Sequence, residues 1–297
     1  MRNLRLLGLL CSLLWVLSPL TVAAQTVDGL YVFGDSLSDN GNLYTSSKGK
    51  VPFSPPYYQG RFSNGPVWVE DLVPMLGLPS TALHDFAVGG AQTRGGFVRS
   101  FQEQINDVVK THPKLDPNSL YVIWIGANDY FFHPRVPMSR VRWNVRETMT
   151  GIEKLAHHGA KYFLVLNVPD MGATPRAYKM DAQQSSDVYS EHLHELVTLH
   201  NNELEIALNK FAGQNRRLEI VQMDASSLFN EARDNPKQYQ IKDIKNPCYQ
   251  GNFEGEPNVV CPDPNDYLFW DQAHPTARVH QELATIAKQT LVERDIS

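Results

Sequence analysis

The sequence predicts an α/β fold with a mainly parallel central sheet. Short runs of β-branched and aromatic residues, clearest in Leu120-Tyr121-Val122-Ile123-Trp124-Ile125, alternate with longer segments of helical periodicity. Strands that alternate with helices are joined by crossovers, and crossovers make neighbouring strands parallel. The residues with unusual chemistry fall just after three of the strand ends, where sheets of this class build their sites.

Gly29-Leu30-Tyr31-Val32-Phe33 is an apolar run that ends in Gly34-Asp35-Ser36, so a buried strand feeds a turn. A loop rich in Pro and Tyr follows from Lys50 to Gly60. Asn64-Gly65-Pro66 then reads as the start of a helix with Val67, Trp68, Leu72 and Met75 on its apolar face. A second strand, Asp85 to Val88, runs into Gly89-Gly90, and helical spacing returns at Phe101, Ile105 and Val108. The third strand, Leu120 to Ile125, stops at Gly126. A helix is expected from Ser139 to His158, a fourth strand from Tyr162 to Leu166, a long polar helix from Ser186 to Ala212 and a fifth strand from Leu218 to Val221. Lys242 to Asp266, rich in Pro, Asn and Gly, interrupts the alternation and reads as a long surface loop. The apolar Tyr267-Leu268-Phe269-Trp270 leads into Asp271-Gln272-Ala273-His274-Pro275-Thr276 and a final helix bearing Val279, Leu283 and Ile286.

The first 24 residues have the layout of a secretory signal: Arg2 and Arg5, an apolar run from Leu6 to Leu17, then small residues at Val22-Ala23-Ala24. The apolar run is short for a membrane span. A single domain over residues 25–297 is therefore expected, in a periplasmic or extracellular setting. The chain carries a net charge of −5, and losing Arg2 and Arg5 makes it more acidic still. With no basic cluster, nothing supports nucleic-acid binding. Cys11 leaves with the signal, and the remaining pair, Cys248 and Cys261, is expected to form a disulfide in an oxidising compartment.

A serine hydroxyl becomes a nucleophile when a base takes its proton and a third group orients that base. Ser36 stands at a strand end. Asp271 and His274, three residues apart and followed by Pro275, can fold so that the carboxylate meets one imidazole nitrogen and leaves the other for the serine. Charge developing on a carbonyl oxygen needs donors already in place. The candidates are the backbone N–H groups of Ser36 and Gly90 and the side-chain amide of Asn128. No Gly-x-Ser-x-Gly elbow occurs. His194-Glu195 begins a zinc-protease-like string, but Thr198 stands where its second His belongs. The helix face with His192, His194 and His200 is read as solvated.

Four blocks in order, Gly34-Asp35-Ser36-Leu37 with Ser38-Asp39, Ala87-Val88-Gly89-Gly90-Ala91, Gly126-Ala127-Asn128-Asp129 and Asp271 to Thr276, resemble the successive blocks of the GDSL, or SGNH, hydrolases. The resemblance implies a flavodoxin-like three-layer α/β/α sandwich. It implies Ser36 as nucleophile, Asp271 and His274 as the rest of the triad, and Ser36, Gly90 and Asn128 as the oxyanion hole, with no metal or organic cofactor. One position departs: Asp85 stands where the second block often begins with Asn, and its expected role is to support the turn near the nucleophile. Gly60-Arg61-Phe62-Ser63-Asn64-Gly65-Pro66 and Asn167-Val168-Pro169-Asp170-Met171-Gly172 are similar to accessory segments of secreted bacterial lysophospholipases A, phospholipases A and glycerophospholipid acyltransferases. A lysophospholipid or phospholipid at a membrane surface is the substrate this implies, with water or another alcohol as acyl acceptor. Phe53, Tyr57 and Tyr58 in one loop and Tyr130, Phe131 and Phe132 in another are candidate walls of an acyl site. A general carboxylesterase or a carbohydrate deacetylase is the alternative. A noncatalytic binding module would need none of Ser36, Asp271 and His274.

Overall fold

Strand β1 (Leu30–Gly34) lies inside a five-stranded parallel sheet, between β2 (Leu83–Asp85) and β3 (Leu120–Trp124), with β4 (Tyr162–Leu166) and β5 (Glu219–Met223) continuing beyond β3. The computed structural model describes residues 25–133, 135–184 and 188–296. The expected signal over 1–24 and the helix start at Ser186 lie outside the described residues.

The strand order 2-1-3-4-5 puts a topological switch point between β1 and β3, the place where open α/β sheets leave a crevice at their carboxyl ends. The connections are helical: α1 (Asn42–Ser46) and α2 (Trp68–Met75) follow β1, α3 (Phe101–Thr111) follows β2, α4 (Ala127–Phe131) and α5 (Met138–His157) follow β3, and α6 (Pro175–Gln184) and α7 (Val188–Gln214) follow β4. Helices α8 (Ala225–Asp234) and α9 (Ala277–Val292) come after β5.

Alternate strand residues face opposite layers. Leu30, Val32, Leu120, Val122, Trp124, Leu164, Leu166, Val221 and Met223 are buried in one cluster with residues of α2, α8 and α9. Phe33, Tyr121, Ile123, Phe163, Val165 and Ile220 are buried in a second cluster with α3, α5 and α7. Helices thus cover both faces, and this is why β3 and β4 are apolar without alternation. Gly34 ends β1 because the strands close there: a Cβ on it would lie 2.4 Å from the carbonyl oxygen of Trp124.

Several elements differ from the sequence expectation. β2 is assigned two residues earlier than Asp85–Val88, although the N–H groups of Phe86 and Val88 still donate to the carbonyls of Val32 and Gly34 at 2.8 and 3.1 Å. α2 starts at Trp68 because Glu70 accepts the Val67 N–H at 3.0 Å and is itself held by Arg61 at 2.6 Å. Asn64, expected to open that helix, instead accepts the Ala277 N–H at 2.8 Å, at the start of α9. Helices α6 and α8 are not anticipated by the sequence pattern. The second begins where Asp224 accepts the Ser227 N–H at 3.0 Å. The long loop after Lys242 holds a strand, β6 (Asp243–Pro247), parallel to β7 (Tyr267–Phe269). Cys248 and Cys261 are bonded in that region. No helix among the described residues is long and apolar enough to cross a membrane.

Candidate active site

Ser36 stands two residues beyond the end of β1, in a turn tied by its own backbone: Ser38 and Asp39 donate to the Asp35 carbonyl at 3.1 and 3.0 Å, and the Asp35 carboxyl accepts the Leu37 N–H at 3.1 Å. The turn leaves the Ser36 hydroxyl 2.8 Å from His274 Nε2. His274 reaches it from a loop clamped at both ends: Trp270 donates to the His274 carbonyl at 2.7 Å, and Thr276 donates to that of Leu268 at 3.2 Å.

Asp271 folds back within this loop as its spacing suggests. Its carboxylate lies 2.8 and 2.9 Å from His274 Nδ1 and accepts the backbone N–H groups of Ala273 and His274 at 2.9 and 2.8 Å. Oδ2, which lies 2.8 Å from Nδ1 and takes neither backbone N–H, also accepts the hydroxyl of Tyr57 at 2.6 Å. Burial alone would push the Asp271 carboxyl up, but His274, the Tyr57 hydroxyl and the Ala273 N–H together hold it below the ordinary carboxylate range. Tyr57 responds in the opposite sense, its phenol pushed far up by burial and by the Asp271 charge. The result is one hydrogen-bonded chain, Ser36–His274–Asp271–Tyr57, of which each member is nearly inaccessible to solvent. Such a chain can take a proton from the serine hydroxyl and stabilise the imidazolium that forms.

Gly90 and Asn128 flank this chain. Gly90 takes φ +79°, a conformation that favours glycine, and Val98 and Phe132 lie about a van der Waals contact from where its Cβ would sit. Gly89, by contrast, donates its N–H to Asp39 at 2.7 Å and is packed under Phe62. The backbone N–H groups of Ser36 and Gly90 donate to no protein acceptor among the described residues. Asn128, in the first turn of α4, spends one amide donor on the Ala91 carbonyl at 3.0 Å and has a second. Asp85 accepts the N–H groups of Asn40 and Ala87, both at 2.9 Å, so it holds the segments that follow β1 and β2 together.

Three buried acids, Asp35, Asp39 and Asp129, and the half-buried Asp85 sit behind these turns. Burial pushes Asp35 up to about 7, aided by the charges of Asp129 and Asp39. Burial likewise pushes Asp129 up to about 6, and raises Asp39 and Asp85. Their backbone hydrogen bonds partly offset the burial, and that is how they fix the loops beneath Ser36.

Ser36, Gly90, Asn128, Asp271 and His274 all line one cavity of about 620 Å³. Most of its wall is apolar, including Leu43, Val51, Phe62, Val98, Phe131 and Met171. Of the six aromatic residues expected to form an acyl wall, Tyr57, Phe131 and Phe132 do line it. Phe53, Tyr58 and Tyr130 do not. Tyr58 turns outward under the Arg61 guanidinium, and Tyr130 turns inward to hydrogen-bond His200 at 2.7 Å. His200 is therefore buried against α4 rather than solvated, and burial lowers its pKa to about 4. His194 is exposed and lies 3.1 Å from Asp170. Sequence reasoning misses Tyr57 as a partner of Asp271 and Phe62 as a ring 5.0 Å from that of His274; the Gly60–Pro66 block draws notice only as a family-like segment.

The chain has recognisable relatives among known proteins. A family model of GDSL-like lipase/acylhydrolases matches residues 30–286. The phosphatidylcholine-sterol acyltransferase of Aeromonas hydrophila is 28% identical over 91% of this chain and 94% of its own length. The thermolabile hemolysin of Vibrio parahaemolyticus is 25% identical over 87% of this chain, which spans 62% of the hemolysin. A GDSL esterase/lipase of Arabidopsis thaliana is 26% identical over 90% of this chain and 84% of its own. A solved structure from Parabacteroides merdae, described as a GDSL-like lipase, superposes with a TM-score of 0.51 at 12% identity, covering 91% of this chain and 97% of that one, a likeness of fold.

Proposed function

We propose, from the premise that the chain belongs to the GDSL-like lipase/acylhydrolase family, that it cleaves the fatty-acyl ester of lysophospholipids through an acyl-Ser36 intermediate. Membership of the family makes it a hydrolase acting on esters. The finer reading rests on one observation: the Ser36–His274–Asp271 hydrogen-bond chain opens onto a large, mainly apolar cavity rather than a shallow polar one. Such a wall suits a long acyl chain better than an acetyl group or a sugar.

In the first step Ser36 Oγ attacks the ester carbonyl while His274 Nε2 takes its proton and Asp271 stabilises the imidazolium. The N–H groups of Ser36 and Gly90, with the Asn128 amide, receive the negative charge on the carbonyl oxygen. His274 then protonates the departing glycerol oxygen. In the second step water, or another alcohol, gives its proton to His274 and attacks the acyl carbon, releasing Ser36. Transfer to an alcohol gains support from the relative named as a phosphatidylcholine-sterol acyltransferase.

The substrate would be met at a lipid surface. Phe97 is fully exposed and Phe132 partly so, and both belong to the wall of the cavity that holds Ser36. Export from the cell fits the Cys248–Cys261 disulfide. The test is steady-state hydrolysis of long-chain lysophosphatidylcholine, its diacyl counterpart and acetyl esters by the purified protein. The lysophospholipid should show the highest kcat/KM. A clear preference for acetylated sugars would overturn the reading in favour of a deacetylase.

A further inference from the structure

Two cations on the wall of this cavity have no work in the ester chemistry. Arg176 lies in the first turn of α6, where its N–H donates to the carbonyl of Gln272 at 2.9 Å and so anchors the helix to the loop between Asp271 and His274. Its guanidinium lies 4.6 Å over the ring of Phe131, on the helix that carries Asn128. Arg176 thus bridges the loop that carries His274 and the helix that carries Asn128. Lys179 follows on the same helix, and both residues line the cavity.

Among the described residues no carboxylate lies within ion-pair distance of Arg176 or Lys179. The third cation of the wall, Arg233, has a partner in Asp170 at 3.6 Å. Glu254 and Glu256 reach the cavity from the disulfide-bonded segment but pair with neither Arg176 nor Lys179. A stacked guanidinium is held by its face, which leaves its edge donors directed outward and pre-arranged for an oxyanion. A neutral ester offers such donors nothing. An ester whose alcohol portion carries a phosphate offers a bidentate partner.

We infer that Arg176 and Lys179 form a subsite for the phosphodiester on the leaving-group side of the substrate. The inference rests on the acyl-ester reading above and deepens it, since it assigns the residues that separate phosphate-bearing from neutral lipids. Arg176 provides the fixed, two-pronged contact, and Lys179 adds a mobile point charge.

The test compares kcat/KM for palmitoyl lysophosphatidylcholine with that for monopalmitoylglycerol in the parent, Arg176→Met, Arg176→Lys and Lys179→Met. Methionine keeps an apolar stem against Phe131 without the charge. The ratio of the two should fall about 10- to 100-fold in Arg176→Met, the scale of losing charge-assisted hydrogen bonds to phosphate. It should fall less in Arg176→Lys and in Lys179→Met. A ratio within about twofold of the parent in Arg176→Met overturns the subsite. A second arm is independent of which lipid is hydrolysed: dodecylphosphocholine and dodecyl maltoside, below their micelle concentrations, compete with p-nitrophenyl butyrate. The parent should bind the phosphocholine more tightly, and Arg176→Met should lose that margin. If the parent fails to favour the lysophospholipid while this margin is lost in Arg176→Met, the substrate reading falls and the subsite stands. Equal inhibition by inorganic phosphate and dodecylphosphocholine would assign the site to the free ion and overturn the lipid assignment.

Discussion

Replacing Tyr57 by Phe removes one hydroxyl from the buried cluster behind Asp271 and leaves the ring contacts with Phe62, Tyr249 and Trp270 in place. The lost bond is short, 2.6 Å, and its acceptor is a carboxylate with 2% of its surface exposed. A hydrogen bond to a charged group contributes about 1.5–3 kcal/mol, and the burial of both partners keeps water from replacing this one readily. For a chain of this size that lowers Tm by roughly 3–12 °C at neutral pH. The pH dependence gives the sign. The Asp271 carboxyl is held low in the fold, so its contribution to stability is present above the ordinary carboxylate range and is lost as pH falls through the folded value. Removing Tyr57's hydroxyl raises that value, so the deficit of Tyr57→Phe should be greatest near pH 7 and shrink as Asp271 protonates. The substitution keeps the ring that lines the cavity and removes only the hydroxyl on Asp271, so kcat should fall about tenfold, about 1.4 kcal/mol in the barrier, with KM nearly constant. Thermal unfolding from pH 3 to 8, together with steady-state kinetics on p-nitrophenyl butyrate, reads both. A Tyr57→Phe protein with the parent's Tm at pH 7 and the parent's kcat would mean that the hydroxyl neither stabilises the Asp271 carboxylate nor supports the triad.

Other perturbations separate the remaining parts of the account. Asn128→Ala should fold normally and lose roughly 10²–10³ in kcat, the usual effect of deleting one oxyanion donor; kcat within about twofold of the parent would reduce Asn128 to a structural role beside Ala91. Cys248→Ser opens a link between residues 13 apart in sequence and should cost about 3 kcal/mol in the chain-entropy model, seen as a lower urea midpoint. It should also reduce hydrolysis of lipid more than of a soluble ester, because the bridged segment contributes Phe253, Glu254 and Glu256 to the cavity wall; equal losses would make the bridge purely structural. Asp35, pushed up to about 7, adds stability below the unfolded carboxylate pKa and loses it as pH rises through 7. The stability of Asp35→Asn relative to the parent should therefore improve by about 4 kcal/mol between pH 4 and 8, since each tenfold difference in proton affinity between the folded and unfolded chain is worth about 1.36 kcal/mol. A difference that does not vary with pH would contradict the burial argument.

Much of this architecture was legible because burial on both faces writes itself into composition. Tyr162–Leu166 and Leu120–Trp124 are apolar throughout, and both match the expected strands closely. β2 was harder to place, since Leu83-His84-Asp85 has no apolar run and its pairing is decided by β1. α6 and α8 are hard to read for a related reason: each shows the solvent many polar residues, and α8 is signalled mainly by the Asp224 cap rather than by periodicity. β6 is a largely polar edge strand that a Pro- and Asn-rich stretch disguises. In the site, Asp271 and His274 were legible because their pairing is local, three residues apart. Tyr57 was not, because its acceptor is 214 residues away and only the closed fold brings them together. His200 shows the converse. On a long helix it reads as one more polar residue, and its burial depends on α4 lying across it.

The proposed chemistry stands on Ser36 as the nucleophile activated by His274. Incubation of the purified protein with a fluorophosphonate, followed by intact-mass and peptide mass spectrometry, tests it directly. One adduct per chain is expected, located on Ser36, with activity lost in proportion to labelling. Ser36→Ala, shown folded by its melting curve, should take up no label and lose activity by several orders of magnitude, on the order of 10⁶ as in another serine hydrolase. A folded Ser36→Ala protein that turns over ester at the parent's rate, or an adduct on a different residue, would contradict it.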